Sequence, residues 1–283
     1  MTLLKAVLLG IIQGLTEFLP ISSSGHLVIF QNLFGLHEPQ LVFDIMVHLG
    51  TLLAIFVVFF EDIVQMIKES SFFITGLLKK KEPESTGENL EHVKLLKLII
   101  IGTIPTALIG YLIEKKAESI FSSLTLVGAM LMLTGLLLWL TKRFSNDRKD
   151  IKKMGIKDAL TIGIVQGMAV LPGISRSGST ISVGLFLGLN RSLAARFSFL
   201  LFIPAIMGAL LLKSEELVSL DYFSLIPNIV GMMAAFITGY FSLRFLMRIV
   251  MKGNLYLFAY YCLLIGLLTL ILPFFVPASP FAF

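Results

Sequence analysis

Apolar residues run along this chain in blocks too long for strands and too uniform for surface helices. Six of them, at about 41–67, 95–114, 122–141, 193–213, 223–248 and 254–277, have the roughly 20 residues that a membrane-crossing helix needs. Two more, at about 3–36 and 156–190, are interrupted in the middle by serine, glycine and proline. Each half of an interrupted block is too short to cross alone. The pattern predicts two re-entrant helix–turn–helix hairpins, whose backbone at the turn must be covered by protein or line a wet cavity.

The two interruptions are copies of one another. Gly10-Ile11-Ile12-Gln13-Gly14 … Ile21-Ser22-Ser23-Ser24-Gly25 returns as Gly163-Ile164-Val165-Gln166-Gly167 … Ile174-Ser175-Arg176-Ser177-Gly178, each residue shifted by 153 positions (166 − 13). With a one-residue slip the likeness continues from Phe43 and Leu49-Gly50 to Phe197 and Ile203-Pro204. The chain reads as a single integral membrane domain, 1–283, made of two repeats. One, about 1–145, is the hairpin 3–36 plus three spans; the other, about 155–283, is the hairpin 156–190 plus three spans. Three is an odd number, so the second repeat is inverted relative to the first and the broken hairpins meet near the middle of the bilayer. The expected fold is an all-α polytopic membrane protein with six transmembrane helices and two re-entrant hairpins in an inverted-topology repeat.

Composition supports the membrane reading. Hydrophobic residues make up 56% of the chain and charged residues 14%, where soluble domains carry roughly a quarter charged; mean hydropathy is +0.91. The net charge of +5 is no nucleic-acid footprint, and no nucleic-acid partner is expected, because the cations sit in short loops. Lys68, Lys79, Lys80, Lys81, Lys94 and Lys97 flank one loop, Lys142 to Lys157 crowd the next on that side, and Arg248 and Lys252 mark a third. The opposite loops carry Lys115, Lys116 and Lys213, diluted by Glu and Asp. The basic set is expected in the cytoplasm, with both termini outside, the first hairpin entering from outside and the second from inside. The stretch 79–92 reads as a flexible surface connection. Cys262 is the single cysteine, so no disulfide framework exists. Lys5 and the apolar residues after it mimic a leader peptide, but Gln13, Gly14, Thr16 and Glu17 interrupt it without a small-residue cleavage site, and the segment is read as part of the fold.

Polar groups at membrane depth are costly and mark function by default. Gln13 and Glu17 are four apart and share a helix face; Pro20 disfavours helix at Leu19, so the half-helix ends there. Glu17 then needs a cation or a metal ion as partner, its bland alternative being a structural bridge to the other hairpin. Ser22, Ser23, Ser24 and Gly25 suit the start of a new helix, whose free N–H groups attract anions such as phosphate. His26 beside them is a proton-handling candidate. In the second copy Arg176 replaces Ser23, and its planar fork matches phosphate oxygens; Ser175, Ser177, Ser179 and Thr180 add hydroxyls. Together the copies form an acid/base-and-metal side facing an anion clamp, a layout for phosphoryl chemistry. Asp44 and His48, four apart on the first span, are weaker candidates for lining the cavity, with pairing to Arg196 or a water as the alternative. His37 and His92 fall in predicted loops. The small-xxx-small spacing of Gly10/Gly14 and Gly163/Gly167 is explained by close helix packing, and Trp139 by interfacial anchoring.

Gln13-Gly-Leu-Thr-Glu17-Phe-Leu-Pro-Ile-Ser-Ser-Ser-Gly-His26 and Pro172-Gly-Ile-Ser-Arg-Ser-Gly-Ser-Thr180 strongly resemble the motifs of the bacterial undecaprenyl-diphosphate phosphatases, also called bacitracin-resistance proteins, and the hydrophobic pattern matches over essentially the whole chain. The resemblance implies an enzyme of the bacterial cytoplasmic membrane that removes one phosphate from undecaprenyl diphosphate. Its product is the monophosphate carrier for peptidoglycan synthesis, and its activity confers bacitracin resistance. It also implies a divalent cation, Mg2+ or Ca2+, and a site open to the extracytoplasmic side. The family's first motif begins with Glu or Gln; Gln13 here leaves Glu17 as the acidic residue for metal or proton. Ser23 and His26 remain alternatives for the attacking or proton-handling group. In the preferred assignment Arg176 with Ser175, Ser177 and Thr180 holds the diphosphate, Gln13, Ser22 and Ser24 assist, Glu17 is near the metal and His26 handles a proton. The partners are the lipid substrate and the bilayer, with a homodimer left open.

Two other protein classes share parts of these patterns. Ser24-Gly25-His26 echoes the phosphatidic-acid-phosphatase class, but the histidine that should follow Ser175-Arg176 after five residues is Ser182. A transporter or flippase of a polyprenyl phosphate would use the same inverted repeat.

Overall fold

The computed structural model describes residues 1–36, 40–78, 89–114, 124–144, 149–212 and 222–275. It holds eleven helices among them: α1 (Leu3–Phe18), α2 (Ser23–Leu33), α3 (Leu41–Val58), α4 (Phe60–Leu78), α5 (Asn89–Glu114), α6 (Leu124–Phe144), α7 (Ile156–Met168), α8 (Arg176–Phe186), α9 (Arg191–Leu212), α10 (Tyr222–Met251) and α11 (Leu257–Phe275). Among the described residues the one β-type pairing is an isolated bridge between Lys149 and Leu189. Five stretches, Leu41–Val58, Glu91–Ile113, Thr125–Arg143, Arg191–Leu212 and Leu225–Met251, are long and apolar enough to cross a bilayer, and Leu257–Ile271 is a shorter apolar helix. The chain is an all-α, multi-pass membrane protein.

Both interrupted blocks are helix–break–helix units. Thr2 accepts from the Lys5 N–H and starts α1; Pro20 forces Leu19 to an extended conformation (φ −61°, ψ 140°) and ends it. In the second unit Pro172 and Gly173 (φ +92°) make the turn, and the Ser175 hydroxyl caps α8 by accepting from the Gly178 N–H at 3.2 Å. A Cβ at Gly173 would run into the Val127 carbonyl, so glycine is required there for space as well as for φ.

The expected span 41–67 is corrected. Helix α3 stops at Val58, Phe59 leaves helical geometry (φ −106°, ψ 24°), and α4 starts at Phe60. Glu61 and Asp62 in its first turn suit a new N-terminus, and Asp62 pairs with Arg196 of α9 at 2.5 Å. Of the expected connection 79–92, residues 79–88 lie outside the described residues, while 89–92 already belong to α5. His92 is therefore helical, its Nδ1 3.0 Å from Glu69; His37 lies outside the described residues.

Glycines decide how the half-helices pack. Helix α1 lies along α10 and α7 along α5. A Cβ at Gly10 would meet the Gly231 carbonyl, and one at Gly163 the Gly102 carbonyl. Such close approach replaces the hydrophobic effect, which lipid does not supply between helices. Gly102 … Gly110-Tyr111 and Gly231 … Gly239-Tyr240 are themselves copies, at a shift of 129 (231 − 102). The drop from 153 means that the first half carries 24 more residues (153 − 129) between its hairpin and this glycine than the second half does, and α4 lies in that stretch.

The basic segments gather at one end. Lys94 Nζ donates to the Lys152 carbonyl at 2.6 Å, Lys152 pairs with Glu91 at 3.2 Å, and Arg191 donates to the Met251 carbonyl at 3.4 Å. Helix α10 runs toward this end, and α1 runs parallel to it, with Gly10 against Gly231 and the Leu15 carbonyl accepting from Ser242 at 2.9 Å. Helices α5 and α7 both start there, Lys149 bonding Asp158 at 3.1 Å. The hairpins thus approach from opposite ends, and their breaks meet inside. Phe18, at the tip of α1, packs edge-on against Phe199 of α9 at 5.8 Å between ring centroids.

Candidate active site

Where the breaks meet is a cavity of about 260 Å³. Its polar lining is Thr16, Glu17, Ser22, Ser23, Ser24, Ser175 and Arg176, with His48, Thr106 and Gln166 beyond them. Glu17 is the hub. Arg176 Nη2 donates to its Oε1 at 2.7 Å, Gln13 Nε2 donates to its Oε2 at 2.9 Å, and the Ser23 hydroxyl faces the same carboxylate. The ion pair joins residues 159 apart in sequence, and both partners are largely withdrawn from the surface, with side-chain exposures of 4% and 16%. Arg176 also stacks on Phe202, the aromatic face adding to its stabilisation.

Backbone conformation separates the two helix starts. Ser175 is an ordinary extended N-cap, but its counterpart Ser22 has φ +70°, a region costing a non-glycine residue roughly 1–3 kcal/mol. The Ser22 carbonyl is held by His26, whose Nδ1 lies 2.9 Å from it, while His26 Nε2 lies 2.6 Å from the Tyr261 hydroxyl. A carbonyl only accepts, so Nδ1 carries the proton and Nε2 of a neutral ring accepts from Tyr261. The third span of each half steadies the hairpin of the other half. Thr134 donates to the Gly173 carbonyl at 3.3 Å, and Cys262 to the Pro20 carbonyl at 3.2 Å.

Of the residues singled out from sequence, Glu17, Ser22, Ser23, Ser24, Ser175 and Arg176 line the cavity. Gln13, His26, Ser177 and Thr180 stand behind it. Gln13 is fully buried against Glu17; Ser177 donates to the Phe18 carbonyl at 2.9 Å, tying the two breaks together; Thr180 meets Ser198 at 2.5 Å. His48 is the histidine that lines the cavity. Its Nδ1 lies 2.6 Å from the Asp44 carbonyl, which turns Nε2 toward Glu17 Oε2 at 3.8 Å. Arg196, the sequence-based alternative partner for this region, pairs with Asp62 instead, and Asp44 accepts from Gln31 at 2.6 Å. Gln166 was not singled out, although it is the copy of Gln13. Its Nε2 donates to the Leu201 carbonyl at 3.1 Å, and its Oε1 is buried without a protein partner.

A divalent cation can be weighed against these donors. Among the described residues no group of three or more His, Cys, Asp or Glu side chains comes together to hold a metal. One carboxylate, an orphaned amide oxygen and several hydroxyls do suit a hard cation that takes its remaining ligands from water and substrate phosphates, as Mg2+ commonly does. The residues present fit such an ion.

The chain matches the family described as "Bacitracin resistance protein BacA" over residues 6–268. It belongs to that family. Among similar proteins is one from Desulfosudis oleivorans, named undecaprenyl-diphosphatase, 50% identical over 94% of this chain and 97% of its own length. Proteins of the same name from Desulforapulum autotrophicum and Methanosphaera stadtmanae are 47% and 45% identical, covering 97% and 95% of this chain and 99% and 98% of theirs. Family membership spans both hairpins, so the whole cavity falls within the matched region.

Proposed function

We propose that this protein hydrolyses undecaprenyl diphosphate to undecaprenyl phosphate and inorganic phosphate, recycling the lipid carrier for peptidoglycan synthesis and conferring bacitracin resistance by removing that antibiotic's lipid target. The observation that carries the reading is the meeting of Glu17 and Arg176, one from each hairpin, at 2.7 Å in a serine-lined cavity. A guanidinium has five N–H donors, so its bond to Glu17 leaves it able to engage phosphate oxygens. The serine hydroxyls and the N-terminal amides of α2 and α8 add donors for the same oxygens.

In this reading Ser23, facing Glu17, is the protein's own nucleophile: Glu17 receives its proton as the hydroxyl attacks the terminal phosphorus, the bridging P–O bond breaks, undecaprenyl phosphate leaves and the phosphoryl group stays on Ser23. Arg176 stabilises the charge on the equatorial oxygens. His48, with Nε2 as the accepting nitrogen, handles the proton of the water that releases phosphate. His26 is a positioning residue that keeps Ser22 and Ser23 in their turn. A divalent cation, when bound, would be held by Glu17 and Gln166 Oε1 and would neutralise diphosphate charge that Arg176 alone cannot match.

The opposed approach of the hairpins supports the inverted-topology repeat, with 1–145 and 155–283 as its halves. Loop charge supports a cytoplasmic basic end, in keeping with a protein of the bacterial inner membrane. The cavity reaches Ala209, far along α9 from the basic end, which supports a site open to the extracytoplasmic side.

The deciding assay is phosphate release from undecaprenyl diphosphate by purified, detergent-solubilised protein, with and without chelator. Arg176→Ala is expected to lower the rate about 10²- to 10³-fold, the usual loss for one donor aimed at transition-state charge. Full activity in that variant overturns the site. No phosphate release by the wild type, alongside lipid-phosphate movement across vesicles, favours the transporter.

A further inference from the structure

The cavity's two walls are copies of one another that have diverged in one direction. Thr16 and Glu17 of the first copy face the cavity, and so do their counterparts Ala169 and Val170. His48 lines it, as does Phe202, its counterpart across the one-residue slip. In all three pairs the first copy holds the polar member and the second the apolar one. Arg176, against Ser23, is the exception, and it stacks on Phe202.

Helix α9 extends the apolar wall. Phe202, Ala205, Ile206 and Ala209 line the cavity in sequence, at spacings of three and four that share one helix face. From Phe202 to Ala209 is seven residues, a path of about 10 Å. The wall opens as it goes: Phe202 is buried, Ala205 half-buried and Ala209 exposed. A Cβ on Gly208 would meet nothing within 4 Å. At the mouth stands Val170, which lines the cavity and is exposed to 37%, so the wall ends on an apolar side chain.

We propose that the isoprenoid tail of the substrate leaves the diphosphate site along this wall, between the second hairpin's break and α9, and that the small size of Ala205 and Ala209 keeps the path open. The inference rests on the lipid-diphosphatase reading and adds where the lipid lies. A hydrocarbon tail laid against Thr16, Glu17 and His48 would strip water from polar groups without replacing their hydrogen bonds. Against Val170, Phe202 and Ala205 it meets only apolar surface, and it reaches the bilayer without crossing a polar rim.

The test compares substrates of different tail length in nanodiscs. Ala209→Trp at the mouth is expected to lower kcat/KM for undecaprenyl diphosphate about tenfold or more, mainly through KM. Dimethylallyl diphosphate, whose single isoprene unit ends well before the mouth, should change less than about twofold. Leu264→Trp, on the exposed face of α11, should leave both unchanged. Equal losses for both substrates with Ala209→Trp, or no loss for either, overturn the path. Should the wild type hydrolyse neither, the diphosphatase reading fails by itself. The path is then read by photocrosslinking a polyprenyl phosphate with a diazirine in its first isoprene units. Labelling of residues 202–209 supports it, and labelling confined to α1 and α2 overturns it.

Discussion

Glu17 and Arg176 are each tolerable at membrane depth only because the other is 2.7 Å away. Removing one partner of a buried pair leaves an uncompensated charge at a cost of about 3–5 kcal/mol, whereas replacing both can be neutral. Glu17→Ala is therefore expected to lower the melting temperature in detergent markedly. The double variant Glu17→Gln, Arg176→Met should recover most of that loss and release no phosphate. A second expectation concerns Ser22 and its φ of +70°. Ser22→Gly should be about 1 kcal/mol more stable than Ser22→Ala, because only glycine holds that conformation without strain. Equal stabilities in thermal melts would show that the turn relaxes. The histidines separate by kinetics: His48→Gln should slow release of inorganic phosphate after a first turnover of undecaprenyl phosphate, while His26→Gln should slow the appearance of both products equally.

At the scale of elements, the half-helices are held by backbone contact that a single methyl group disrupts. Gly163→Ala would drive a Cβ into the Gly102 carbonyl, and backbone on both sides cannot swing away as a side chain would. Overpacking of this kind typically costs about 1–3 kcal/mol, so the variant should melt earlier than the wild type. Gly208→Ala, in open space inside α9, is its matched control and should melt no earlier than the wild type, because alanine favours the helix. The breaks were readable in the sequence because Pro20, Pro172, Gly173 and the serine caps act locally. The end of α3 at Val58 was not, because no proline or glycine marks it. Acidic residues after Phe59 and the tertiary pair of Asp62 with Arg196 terminate one helix and start the next.

For the whole molecule, the contacts among Lys94, Lys152, Glu91, Arg191 and Met251 define one basic end, and topology is open to direct test. In a Cys262→Ala background, Lys153→Cys should react with a membrane-impermeant maleimide only after cells are permeabilised. Thr2→Cys, at the other end of the first hairpin's approach, should react in intact cells. Labelling of Lys153→Cys from outside would invert the orientation and put the site on the cytoplasmic face.

Sequence alone determined what acts through local chemistry and composition. Apolar length declared the membrane helices, the 153-residue repeat announced two broken hairpins, and the cost of charge in lipid marked Glu17 and Arg176. Tertiary structure decided which polar groups share one space. Spacing on the first span made His48 a candidate for the cavity wall, but nothing along the chain says that it takes the place there expected of His26, that Ser177 and Thr180 are spent on bonds to Phe18 and Ser198, or that Gln166 ends in an unpartnered oxygen. Those outcomes depend on how deeply two hairpins slide past one another. That depth is set by glycine contacts with α5 and α10, helices about 60 to 220 residues away along the chain.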